Sequence, residues 1–86
     1  MEEDGHKPDV VGLKQVLRAL EAGELSAVYV ADDAEERLRR RVIESCEQNG
    51  AEVLRAESMS VLGCACGIDV GAAAAGFRKK AGGNDA

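Results

Sequence analysis

In the segment GLKQVLRALEAGE, Leu13, Val16, Leu17 and Leu20 stand at i, i+3, i+4 and i+7. That spacing gathers them on one stripe of an α-helix. Gly23 supplies a stop, and Lys14, Gln15 and Arg18 fall together on another face. Gly12 enters the helix and leaves room for close backbone approach. Val10 and Val11, just before it, have the composition of a short strand. The pattern then changes. LSAVYVA, Leu25 to Ala31, reads as a buried strand with Val28 and Val30 around Tyr29. A second helix follows, where Ala34, Leu38, Val42 and Cys46 recur every fourth residue and Ile43 widens the stripe. Asp33 and Glu36 have capping-box spacing at its start, and Asn49-Gly50 ends it.

AEVLRA, Ala51 to Ala56, is a short strand. Ser58 can cap a brief third helix that carries Met59, Leu62 and Ala65 and stops at Gly67. The run AAAAGF has two readings. Alanine prefers helix, yet Gly71 and Gly76 bracket the run, and a small-residue strand packed closely under helices fits as well. The succession helix, strand, helix, strand, helix, then strand is that of an α/β domain with helices covering a sheet. Every connection is short and no internal repeat is visible. One domain is expected over residues 10–78, between a flexible acidic arm at 1–9 and a flexible tail at 79–86.

A chain of 86 residues can build one modest core. With aromatics at 2%, Tyr29 and Phe77 alone, that core must be aliphatic. The net charge of -5 excludes a uniformly basic nucleic-acid binder. It does not exclude a local basic patch, because recognition follows charge distribution. Three cysteines are an odd number with no signal stretch before them, so a secreted disulfide framework is not expected. No apolar run reaches membrane-spanning length, and a cytoplasmic protein is the default.

LGCACGIDVGAAAAG, Leu62 to Gly76, concentrates the candidate chemistry. Cys64 and Cys66 with Cys46 and His6 make four conceivable soft-metal ligands. Structural zinc sites use longer spacers in paired knuckles, and Cys46 falls on an apolar stripe, so small core residues are the favoured reading of the cysteines over a metal site. Redox chemistry wants a Cys-x-x-Cys at a helix start, whereas this pair falls at a helix end. The glycines match neither a dinucleotide fingerprint nor a phosphate loop. With His6 the sole histidine, no hydrolytic constellation is visible. The loop GIDVG is left. Ile68 and Val70 are either core residues at a strand start or an exposed apolar tip for a partner.

Two separated motifs carry a resemblance. VGLKQVLRALEAGELSAVYVADDAEE and ESMSVLGCACGIDVGAAAAGF resemble, in the correct order, the kink-turn-binding ribosomal protein superfamily, the L-seven-Ae and L-thirty-e group. The likeness runs from about Val11 to Phe77 and is closest to the small bacterial members. It implies a three-layer α/β/α sandwich around a small mixed β-sheet, with AAAAGF as a strand. It also implies RNA binding, at a bulge and tandem sheared G·A pairs that bend a duplex.

Carried over residue by residue, the contact helix begins with Gly12, Leu13, Lys14 and Gln15, with Arg18 one turn on. Lys14 and Gln15 are suited to guanine O6 and N7 or neighbouring amino groups. Arg18 suits a phosphate or another base edge, and the helix start offers backbone donors. Ile68, Asp69 and Val70 form the second contact region, with Ile68 and Val70 against bulged nucleotides. The chain has Leu13 where many members have threonine, and Asp69 where many have glutamate. The implied partner is a structured RNA with a kink-turn: ribosomal RNA, a riboswitch or another non-coding RNA, in association with the ribosome. A monomer is expected, with no membrane partner, no cofactor, no metal and no catalytic residue. Two other readings stand beside this one. One is an assembly or protein-interaction adaptor of the same fold, favoured by the acidic charge and Leu13. The other is a cysteine metal or redox protein.

Overall fold

The computed structural model describes residues 7–79. The elements run β1 (Val10–Val11), α1 (Leu13–Glu21), β2 (Leu25–Ala31), α2 (Glu36–Asn49), β3 (Glu52–Ala56), α3 (Met59–Cys66) and β4 (Ala74–Arg78). Of the expected arm and tail, residues 1–6 and 80–86 lie outside the described residues. Asp9, which the sequence reading put in the arm, extends the sheet. Its N–H donates to the Gly76 carbonyl at 2.9 Å, and its carboxylate accepts the Arg78 N–H at 2.8 Å.

The sheet order is β1-β4-β2-β3. β2 is parallel to β3 and antiparallel to β4, and β4 is antiparallel to β1, so the sheet is mixed. Alternate residues of each strand enter separate cores, as the two-residue period of a strand requires. Val10, Val28, Val30 and Ala74 face α1 and α2, where Val16, Leu20, Val42 and Cys46 fill the space. Ala31, Ala56 and Ala75 face the other way, toward Leu62 of α3, with Val11 and Tyr29 beside them. The result is the three-layer α/β/α sandwich that the resemblance implied.

The ambiguous alanine run is therefore a strand, with Ala72 and Ala73 leading into it. Helix propensity yields here to tertiary packing. Ala74 and Ala75 are fully buried in opposite cores, so small side chains let both helix layers approach. A Cβ on Gly76 would stand 2.6 Å from Leu25 Cδ1, so glycine makes space for that buried leucine.

One local expectation fails. Asp33 does not cap α2. The helix starts at Glu36, after Glu35, and no side chain caps it. The Asp33 carboxylate instead accepts the Met59 N–H at 2.7 Å, from a helix far along the chain. The Asp33–Glu35 stretch is spent on the turn out of β2, which puts Asp33 too far upstream to reach the first turn of α2. Ser58 does cap α3 as expected, its Oγ accepting the Val61 N–H at 3.1 Å. Together they satisfy two donors that a helix start otherwise leaves orphaned. Ser58→Ala should lower stability by about 1 kcal/mol. A urea midpoint unchanged from the parent would refute that.

Candidate nucleic-acid interface

The β1–β4 ladder pairs Val10 with Gly76 and Val11 with Ala75. Its next bond runs from the Gly12 N–H to the Ala74 carbonyl, at 2.9 Å. This contact sets the start of α1 against the chain that leaves the Gly67–Gly71 loop. Two segments far apart in sequence thus meet at one edge of the sheet.

The start of α1 is open. Gly12 has φ 105°, a conformation that favours glycine, and a Cβ there would meet nothing within 4 Å. No side chain caps the first turn, and it contains no acidic residue. The helix start therefore keeps its positive dipole end and its outward N–H donors uncompensated by the protein. Lys14, Gln15 and Arg18 are all exposed. Leu13 is half-buried and packs against the α1–α2 core, so its side chain serves packing. Gln15 and Arg18 line a cleft of about 330 Å³ with Val10, Val11, Glu24 and Arg78. Arg78 is a cation of this cleft that the sequence does not single out. Its signal is nonlocal, because strand pairing with Leu25 of β2, an ion pair to Glu24 at 3.8 Å and the Asp9 carboxylate on its N–H bring it beside α1.

The loop is pinned at both ends and open at its tip. The Gly67 N–H donates to the Cys64 carbonyl at 3.0 Å, the Ile68 N–H to Gly63 at 3.1 Å and the Ala72 N–H to Met59 at 3.0 Å. Gly63 is buried beneath the tip, and a Cβ there would collide with the Val70 backbone carbonyl. Ile68 is 37% exposed and Val70 69%. Of the two readings of this loop, the exposed apolar tip is the one observed, and Asp69 between them is exposed as well. Apolar side chains held outward on a glycine-seated loop form a surface for contact rather than a core.

The sheet separates the cysteines. Cys46 is buried on the α1–α2 side, whereas Cys66 is half-buried on the α3 side and Cys64 is exposed. Burial pushes the Cys46 thiol up, with Glu47 adding to it, and burial raises Cys66 too. A raised thiol pKa disfavours the thiolate that metal binding and redox chemistry need. Among the described residues, no three His, Cys, Asp or Glu side chains gather as a metal site. His6, the fourth candidate ligand, lies outside the described residues.

Comparison with known proteins gives this arrangement its relatives. The sequence profile of the ribosomal protein L7Ae/L30e/S12e/Gadd45 family matches residues 5–86. An RNA-binding protein of Caldanaerobacter subterraneus subsp. tengcongensis is 46% identical over 66 residues, covering 77% of this chain and 80% of that protein. The RNA-binding protein YbxF of Geobacillus stearothermophilus is 43% identical over 65 residues, covering 76% of this chain and 79% of its own. Among solved structures, the Giardia lamblia 15.5kD RNA binding protein superposes with a TM-score of 0.69 at 26% identity. That likeness covers 83% of this chain and 60% of the Giardia one. The profile match spans both the open helix start and the glycine-seated loop, and the chain belongs to the ribosomal protein L7Ae/L30e/S12e/Gadd45 family.

Proposed function

We propose that this is a non-enzymatic RNA-binding protein that recognises and stabilises kink-turn RNA in the cytoplasm, as a monomer acting on ribosomal or other structured RNA. The observation that carries the reading is the Gly12–Ala74 bond, which sets an uncapped helix start beside an exposed apolar loop tip. The relatives named as RNA-binding proteins support the same partner class.

Each part suits a bent, bulged duplex. Regular A-form RNA hides its base edges in a deep, narrow groove, and a kink opens them. Lys14 donates to guanine O6 or N7, and Gln15 both donates and accepts at neighbouring edges. Arg18 and the open N–H groups of α1 meet phosphate. Ile68 and Val70 cover the faces of extruded bases without aromatic stacking, while Asp69 accepts from a ribose hydroxyl or a base amino group. The net charge of -5 does not oppose this, because the contacts are local. No helix among the described residues is long and apolar enough to cross a membrane.

A protein that binds only the bent form shifts the RNA toward it. The test compares a kink-turn duplex with the same duplex whose G·A pairs are made Watson–Crick, at several salt concentrations. Clear preference for the kink-turn is expected at every salt. Equal binding would leave only general electrostatic attraction and would favour the adaptor reading.

A further inference from the structure

We propose that Lys7 is an additional contact of this site, holding an RNA phosphate beside the Ile68–Val70 tip; the inference rests on the RNA-binding reading above. Lys7 precedes β1, yet its side chain reaches the loop. Its Nζ lies 3.0 Å, and its Cε 3.4 Å, from the point a Cβ on Gly67 would occupy. Gly67 directly precedes Ile68, so its missing side chain leaves the space in which the ammonium sits. Lys7 is exposed. Among the described residues, no carboxylate forms an ion pair with it.

Electrostatics make this cation consequential. Gly67 ends α3, and a helix C-terminus carries partial negative charge. Asp69 at the tip adds a carboxylate. A polyanion approaching the tip would meet repulsion from both. Lys14 and Arg18 stand on α1, on the other segment of the site. Lys7 is the cation placed at the start of the loop, where the helix end draws it and an incoming phosphate can share it. The tip is thereby flanked by Lys7 at its beginning and by the α1 start at its end. The Lys7 contact is with the backbone of the RNA, so it adds affinity without reading sequence.

Lys7→Gln in the full chain provides the test, titrated against kink-turn RNA by fluorescence anisotropy from about 50 to about 200 mM salt. Losing one phosphate contact should reduce the slope of log K against log salt by about one. The deficit at the lower salt should then exceed that at the higher by about 3.5-fold. Lys7→Arg keeps the charge and should keep the parent slope. The parent is measured in parallel on the kink-turn and on its Watson–Crick control. A parent without preference overturns the RNA reading, and this inference with it. A parent with preference, but with Lys7→Gln unchanged in affinity and slope, overturns the Lys7 contact alone. Reduced affinity at an unchanged slope also overturns it, because Lys7 would then only support the loop.

Discussion

Lys14→Ala and Gln15→Ala should each weaken kink-turn binding by about 1–3 kcal/mol, the range expected for contacts aimed at base edges. Both side chains are exposed at the start of α1, and neither makes a side-chain hydrogen bond or ion pair within the described residues. Stability should therefore stay within about 0.5 kcal/mol of the parent, as for ordinary surface substitutions. The loss should be specific. Against the Watson–Crick control duplex, the mutants and the parent should bind alike. Arg18→Ala should behave differently, lowering the salt slope by about one if it holds a phosphate. Undiminished kink-turn binding by both Lys14→Ala and Gln15→Ala would remove α1 from the interface.

Gly63→Ala opposes two physical effects of known sign. Inside a helix, alanine is favoured over glycine by about 1 kcal/mol. Propensity alone therefore predicts a more stable protein. Packing predicts the reverse, because the added methyl would strike the Val70 backbone carbonyl, which cannot rotate away as a side chain end can. Overpacking a filled site costs about 1–3 kcal/mol. The expected outcome is a net loss of stability together with weaker RNA binding, because relief comes by pushing the Ile68–Val70 tip outward. Urea unfolding and an RNA titration on the same sample check both. A stabilised variant with parent affinity would mean that the loop is not seated on Gly63.

The fold was legible where periodicity is local and long. The Leu13–Leu20 stripe, the Leu25–Ala31 strand and the Asn49-Gly50 stop all stand where their spacing put them. Ser58 was readable because a helix cap acts within three residues. Asp33 was misread for the complementary reason. Its capping-box spacing is a local signal, but the turn out of β2 leaves it upstream of the helix start at Glu36, and its carboxylate holds the distant Met59 N–H instead. AAAAGF was undecidable alone, since what makes it a strand is the pair of helix layers pressing on it.

The site divides in the same way. Lys14, Gln15 and Arg18 could be named from helix geometry and the family likeness, and the structure places all three at the surface. The exposure of Ile68 and Val70 could not be read, because alternation around a glycine pair fits a strand start and a tip equally. Arg78 and Lys7 reach the neighbourhood only through tertiary contacts, which no window of sequence contains.

The β1–β4 ladder has a consequence in time. Val10 pairs with Gly76, almost the full length of the domain away. Contacts of such long separation carry a large loop-closure cost and tend to form late. A chain still being synthesised can build α1, β2 and α2 early, since those contacts are closer in sequence. It cannot align the α1 start with the loop until β4 has emerged and paired with β1. Competence to bind RNA is thus withheld from the unfinished chain, and bound RNA would in turn stabilise the last pairing made.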